Sequence, residues 1–600
     1  MEITRTFDLL NLYKEKYKME DALAGKEEGV WVRYSSDQYI DFANNVSYGL
    51  LAMGLKKGDK VATISNNRPQ WNFVDMGIAQ TGIIHVPIYP TISKEEYEYI
   101  LKDSKPSVIF LSDKALYNKI KPIADKVESV KEVYTFNDVE GAKNWMDVVE
   151  LGKKSADGFK DELEKLKASV KPEDFFTLLY TSGTTGFPKG VKLSQNNVVS
   201  NFKATAEVHN LGHGDKTLSF LPISHIYERM VNYHFQYLGI AVYYAENMGT
   251  IVDNVKEIKP EIFLTVPRLL ERVYDKIMGK GKDLKGIKKS IFFWAVNLGL
   301  RFELNPPNGW FYHQKLKIAD KLIFSKWREA LGGNIKIIVS GSAALQPRLA
   351  RVFWAAGIQV LEGYGLTETS PVIAANNVVT NEVMFGTVGP VVSGGVEVKI
   401  AEDGEILCKG PNVMMGYYNQ PELTKEVIDD DGWFHTGDIG EFIEGKYLKI
   451  TDRKKEMFKL SNGKYIAPQV IENKLKESFF IEQAMVVGEN EKFASAIISP
   501  NFPFLHEWAS RHDIKYQDNE ELIGFKEVND RVNKEVKELN KDLNEHERIK
   551  RIRLVKDEWS SETGELSPTA KLKRRKIYEA YSTILSEIYS VGKGEVDFSE

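Results

Sequence analysis

One cysteine in 600 residues, Cys408, excludes an intrachain disulfide framework. It sits in the strand-like run EILCKG and reads as a packed side chain rather than a nucleophile. No run reaches the roughly 18 uncharged apolar residues that a membrane span needs. The N-terminal MEITRTFDLLNLYKEKY carries early acidic residues and no apolar core, so it does not read as a secretory signal. These absences predict a cytoplasmic protein. Basic surplus is missing too: the net charge is −5, which gives no reason to expect nucleic acid. Internal repeats and low-complexity tracts are absent.

What is present is enough apolar content, 42%, for sizeable cores, in a chain too long for one of them. DKVATIS, IIHVPIY and SVIFL read as strands, separated by a helix from Pro69 to Gln80 and another opened by Ser93 with Glu95 and Glu96. The rhythm returns in AVYYAE, EIFLTVP, IKIIVSG and IQVLEGYG. Such alternation predicts βαβ units and parallel sheets. Residues 385–450 have denser turns and suggest a smaller antiparallel unit. From about 456 the pattern becomes mixed α+β, with a highly charged helical stretch at 520–550.

YTSGTTGFPKG, 180–190, follows the apolar run FFTLLY. Its glycines let the backbone turn several N–H groups toward one point, and hydroxyls with one ammonium complete a phosphate cradle. It is not a P-loop, G-x-x-x-x-G-K-[ST]. Lys189 is preceded by Pro188 and followed by Gly190, so the last glycine and the magnesium-binding hydroxyl are both missing. Two more segments, VSGSAAL (339–345) and VLEGYGLTETS (360–370), turn on glycine at the end of an apolar strand. Open α/β sheets bind ligands at such strand ends. WFHTGD (433–438), TDRKKEMFKLSNGKYIAP (451–468) and GELSPTAKLKRRKI (564–577) complete the set.

Together these motifs resemble the adenylate-forming superfamily, from about Gly29 to Tyr578. SFLPISHIYER (219–229), TVPRLLERVYDKI (265–277), SNGKYIAP and a long insertion near 280–330 are similar to its long-chain fatty-acid–CoA ligases. The resemblance implies a large α/β N-terminal domain, 1–453, with two βα sheets and a small β-barrel-like subdomain. A mobile α+β C-terminal domain, 454–600, would carry the catalytic lysine.

It implies ATP and CoA as co-substrates, Mg²⁺ as cofactor and fatty acid as substrate. Lys571, Lys189, Glu368 and Thr181 take the catalytic positions. Thr181, Ser182, Gly183, Thr184, Thr185 and Lys189 hold phosphate. Gly341, Ser342, Ala343, Glu362, Gly363 and Gly365 line the nucleotide, with Tyr364 stacking on adenine and Thr367 at the α-phosphate. Thr181 and Glu368 hold the metal, a hard cation that prefers oxygen ligands. Asp438 and Arg453 meet the ribose. Lys455 is the hinge, where long-chain members often carry Lys. Ser461, Gly463 and Lys464 line the pantetheine channel, and His225 lies beside the acyl group. Ala570 departs from the Gly that many short-chain members place before the lysine.

Beside Lys571, the run Lys573, Arg574, Arg575 and Lys576 reads as surface charge, and Lys454 as a solvated lysine. KGIKKSIFFWAVNLGLRF, 285–302, can be read as an interfacial helix for peripheral membrane contact. Its alternatives are packing on the N-terminal domain and a self-association surface making a homodimer. Two rival functions share these motifs: an acyl-AMP ligase delivering to a carrier protein, and a non-catalytic nucleotide- or lipid-binding relative. The presence of Lys189, Glu368, Asp438, Arg453 and Lys571 argues against the second.

Overall fold

The computed structural model describes residues 2–181, 188–560, 563–567 and 571–589. The phosphate-loop positions Ser182, Gly183, Thr184 and Thr185, and Ala570 before the lysine, lie outside them. Contacts divide the chain into two compact units. The larger comprises Met1–Lys399, Leu407–Thr436 and Ile443–Leu448; the smaller comprises Ile400–Ile406, Gly437–Phe442 and Lys449–Glu600.

Two eight-stranded sheets build the larger unit. The first runs Gly416–Tyr417, Lys189–Ser194, Phe175–Thr181, Ile84–Ile88, Lys60–Ile64, Val108–Leu111, Glu132–Thr135 and Lys143–Asn144. Its pairings are parallel from Phe175–Thr181 through Lys143–Asn144. The second runs Val372–Ala375, Gln359–Gly365, Ile337–Ser340, Ile262–Thr265, Lys216–Ser219, Ala241–Tyr244, Leu23–Glu27 and Val30–Tyr34, parallel except at its two outermost pairs. Parallel strands covered on both faces read as continuous apolar runs, as Val108–Leu111 does.

The expected helices are present at Pro69–Thr81 and Lys94–Ser104. Ser93 caps the second through a reciprocal box with Glu96, satisfying N–H groups that a helix start leaves unpaired. A further four-stranded sheet has the order Glu397–Ile400, Glu405–Lys409, Phe434–Ile443 and Tyr447–Arg453. Cys408 is buried there, and burial pushes its thiol up to about 12. In the smaller unit, Ile481–Val487 pairs antiparallel with Ser495–Pro500, which pairs parallel with Arg551–Leu554. Ile471, Phe502, Val532 and Ile549 are among the residues that fill its core.

The 285–302 segment is helical over Gly286–Gly299. Phe292 and Val296 turn inward, and Phe293 is half-buried. Burying a phenylalanine contributes about 1.5–3 kcal/mol, enough to dock one face of a short helix. Its outer face mixes apolar side chains with exposed Lys288 and Lys289: Ile287 is 79% exposed, and on the next helix, Trp310–Ala319, Trp310 and Phe311 are 67% and 77% exposed. Among the described residues, no helix is long and apolar enough to cross a membrane.

Candidate active site

In the larger unit, strands Phe175–Thr181 and Lys189–Ser194 pair antiparallel, with Thr181 opposite Lys189. That register brings together the two ends of the phosphate-loop segment. Tyr180 anchors the first strand by donating to Asp103 Oδ2 at 2.6 Å. Lys189 Nζ lies 5.3 Å from the centre of the Tyr417 ring, and the Tyr417 hydroxyl donates to Glu368 Oε1 at 2.8 Å. Lys189 and Glu368, 179 residues apart in sequence, therefore meet the same aromatic side chain.

Gly341 follows strand Ile337–Ser340, where a Cβ would stand 2.9 Å from the Tyr227 ring. Ser342 has a φ of +70°, and Ala343 is exposed. Strand Gln359–Gly365 carries Glu362, Gly363 and Tyr364. Burial pushes the Glu362 carboxyl up to about 8, against the pull of hydrogen bonds from Leu345 and Gly386. Tyr364 is half-buried. At Gly365 a Cβ would stand 1.7 Å from the Pro371 carbonyl oxygen, so only glycine allows the turn that delivers Thr367 and Glu368. His225 caps helix Ile226–Leu238, its Nδ1 accepting from Tyr227 N at 3.1 Å, with its ring 6.2 Å from that of Tyr89.

In the smaller unit, Asp438 is buried, and Arg453 Nε lies 3.3 Å from its Oδ1. Lys455 is exposed in the turn that follows strand Tyr447–Arg453. Ser461, Gly463 and Lys464 are exposed at the tip of the hairpin Phe458–Lys459/Tyr465–Ile466. Lys464 N donates to Asn462 Oδ1 and Gly463 N to Leu460 O, which closes the tip. Lys571 is exposed too, its backbone held by Ser567 from both sides: Lys571 N donates to Ser567 Oγ at 3.0 Å, and Ser567 N to Lys571 O at 2.8 Å.

The sequence profile of AMP-binding enzymes matches residues 13–418, and that of the AMP-binding enzyme C-terminal domain matches residues 455–593. The chain belongs to the AMP-binding enzyme family. A long-chain-fatty-acid–CoA ligase of Mycobacterium bovis is 31% identical over 572 residues, covering 94% of this chain and 93% of that protein. Long chain acyl-CoA synthetase 7, peroxisomal, of Arabidopsis thaliana is 32% identical over 599 residues, covering 94% and 83%. The crystal structure of the adenylation domain of a carboxylate reductase from Mycobacterium chelonae matches with a TM-score of 0.75 at 22% identity, over 98% of this chain and 91% of that one. The fold is thus that of adenylate-forming enzymes: a large α/β N-terminal domain and a smaller C-terminal domain.

One reading of this AMP-binding enzyme's charges needs correction. Arg574 is not surface charge: its side chain is 16% exposed, and it donates to Glu456 Oε2 at 3.0 Å and Glu472 Oε2 at 2.8 Å. Burial alone would lower its pKa, but Glu472 and Glu456 raise it instead. The pair braces helix Arg574–Ala580, three residues beyond Lys571, against the turn that holds Lys455. Lys454 is solvated, with its side chain 45% exposed, but it is also paired: its Nζ lies 2.5 Å from Asp403 Oδ2 and 2.8 Å from Glu405 Oε2.

Sequence reasoning missed Tyr417 altogether. Its only local signal is the YY pair after Gly416, which is no different from a packed strand end.

Glu368 and Thr181 carry oxygen donors of the kind that a magnesium ion prefers. Among the described residues no three His, Cys, Asp or Glu gather into a metal cage. Magnesium rarely needs one: it keeps several waters and binds through one or two carboxylates plus substrate phosphates. Glu368 has a carboxylate that would fit such a role, and Thr181 has a hydroxyl at the end of the strand opposite Lys189.

Proposed function

We propose that the protein is a long-chain fatty-acid–CoA ligase, converting ATP, fatty acid and CoA to acyl-CoA, AMP and pyrophosphate. One observation carries the reading: relatives named as such ligases align with 94% of the chain, across both family regions. In the first half-reaction a fatty acid carboxylate oxygen bonds to the α-phosphorus as the bond to pyrophosphate breaks. The carboxylate is already ionised near neutral pH, so no general base is needed. Charge grows on the phosphate oxygens, and Lys189, Lys571 and Thr181 are the groups that would meet it.

Thr181 and Glu368 would hold Mg²⁺, which neutralises phosphate charge. Tyr364 stacks on adenine, while Gly341, Ser342, Ala343, Glu362, Gly363 and Gly365 line the nucleotide and Thr367 touches the α-phosphate. Asp438 and Arg453 take the ribose hydroxyls. In the second half-reaction the CoA sulfur bonds to the acyl carbonyl carbon, and AMP leaves. Lys455 is the hinge of the change between them. Ser461, Gly463 and Lys464 then line the pantetheine channel, and His225 borders the acyl group.

The test is AMP release from ATP and palmitate, with and without CoA. Release that depends on CoA and matches acyl-CoA formed is the expected result. Pyrophosphate release with no CoA ester would favour an acyl-AMP ligase that serves a carrier protein.

A second reading concerns the insertion. Between Lys276 and Lys326 the sequence holds eleven Lys or Arg against three acids. The exposed Ile287, Trp310 and Phe311 lie within it. Apolar side chains amid lysines suit an anionic bilayer surface. Two copies of so basic a face would repel each other, which disfavours a homodimer through it. The protein should co-sediment with vesicles of mixed phosphatidylcholine and phosphatidylglycerol, and changing Ile287, Trp310 and Phe311 to Ser should abolish this. No sedimentation of the wild type would end the idea.

A further inference from the structure

Tyr417 is held more firmly than its place at a sheet edge requires. Its strand, Gly416–Tyr417, pairs with the strand that begins at Lys189, with Tyr417 opposite Val191 and Gly416 opposite Lys192. Tyr418 N donates to Gly190 O at 2.7 Å, and Met415 N to Lys192 O at 3.0 Å. One residue earlier, Met414 N donates to Glu368 O at 2.8 Å. Tyr417 N donates to Thr424 Oγ1 at 2.9 Å. Met414, Met415 and Tyr418 are thereby tied to the backbone at Glu368, Lys192 and Gly190, at or next to the two groups that would handle the phosphates, while Tyr417 itself is held by Thr424. From that frame the buried Tyr417 ring meets Lys189, and its hydroxyl meets Glu368.

Those contacts suit a task. A carboxylate on a turn can rotate about its side-chain bonds, and a cation site needs its oxygen aimed. A carboxylate has several acceptor positions, so accepting one hydroxyl hydrogen bond leaves capacity for a metal. Partners of ligating carboxylates fix their orientation, and losing one typically costs metal affinity. The aromatic face also attracts an ammonium placed over it.

We propose that Tyr417 is a positioning residue for the nucleotide: its hydroxyl aims the Glu368 carboxylate for a divalent cation, and its ring aims the Lys189 ammonium at phosphate. The inference rests on the reading of Glu368 and Lys189 as ATP-handling groups. The two halves of the side chain act on different partners, so they separate by substitution. Tyr417→Phe keeps the ring and loses the hydroxyl, whereas Tyr417→Leu loses both.

The experiment is calorimetric titration of the full-length protein with ATP at a series of Mg²⁺ concentrations without fatty acid, followed by Mg²⁺ titration of pyrophosphate release. For Tyr417→Phe the Mg²⁺ needed for half-maximal ATP binding should rise about tenfold, as for loss of a ligand's supporting partner. ATP binding without Mg²⁺ should be unchanged in that variant and weakened in Tyr417→Leu. At saturating Mg²⁺ the Phe variant's kcat should return to within about twofold of the wild type. A Phe variant with the wild-type Mg²⁺ dependence would overturn the inference alone. So would a uniform loss of rate at every Mg²⁺ concentration with a lowered melting temperature, the mark of a merely structural role. A wild type that binds no ATP at any Mg²⁺ concentration would overturn the reading of the site itself, and the inference with it.

Discussion

Lys571→Ala will slow acyl-adenylate formation by about 10²–10³-fold, the usual cost of removing one donor from a site of developing charge. Thioester formation from supplied acyl-adenylate will be nearly unchanged. The asymmetry follows from where charge appears. Only the first half-reaction builds negative charge on an α-phosphate under attack, and an ammonium stabilises that transition state more than the ground state.

The structure is suited to such a role. Lys571 is exposed, yet its backbone is fixed by Ser567 and by the neighbouring Leu566–Leu572 bridge. Arg574, with its two glutamates, holds the following helix. The opposite profile is expected of Lys455→Pro, since proline fixes φ at 455 and restricts the residue before it. Adenylation should persist there while thioesterification falls. Pyrophosphate and CoA ester, measured separately, decide both. Equal loss of the two half-reactions in Lys571→Ala would sink the assignment.

Arg229→Met will destabilise the larger unit by about 3–5 kcal/mol, because it strips a buried carboxylate of its partner. Arg229 and Asp75 are both fully buried, with Arg229 Nη2 2.5 Å from Asp75 Oδ1. The guanidinium also donates to Thr177 Oγ1 at 2.6 Å and Tyr233 OH at 2.9 Å, and it lies 4.8 Å from the centre of the Phe176 ring. His85 Nδ1 lies 2.6 Å from Asp75 Oδ1. Burial alone would raise the Asp75 pKa; Arg229, with His85 and Tyr233, brings it below its ordinary 3.8.

A depressed carboxylate contributes stability above its unfolded value and loses it as pH falls through the folded one. The deficit of Arg229→Met should therefore be full at neutral pH and shrink below about pH 4. Adding Asp75→Asn should restore part of it, since removing both charges is milder than removing one. Denaturant midpoints over a pH series measure all three. A deficit below about 1 kcal/mol at neutral pH would show that Asp75 is not an uncompensated buried charge in the variant.

Much of the fold was legible because its signals are local. Short apolar runs alternating with helix-length segments announced the parallel strands, and Ser93 with Glu95 and Glu96 announced a helix start. The glycine turns at Gly341 and Gly365 were legible for the same reason: a close approach demands a residue without Cβ. What stayed hidden depends on pairing across long separations. Arg229 finds Asp75 across 154 residues, and Arg574 finds Glu456 across 118. A run of basic residues shows the charges but not which of them a carboxylate waits for. Tyr417 was hidden for another reason. Its value lies in facing two groups at once, and a linear pattern records neither.

Cys408 has a practical consequence. As the chain's sole thiol, buried and with its pKa pushed up to about 12, it should be a sluggish target for maleimides. Cysteines introduced at exposed positions could then carry fluorophores or spin labels selectively, without first engineering a cysteine-free background. A pair that brackets Lys455 would test in real time whether the proposed hinge moves between the half-reactions, in an otherwise unaltered chain.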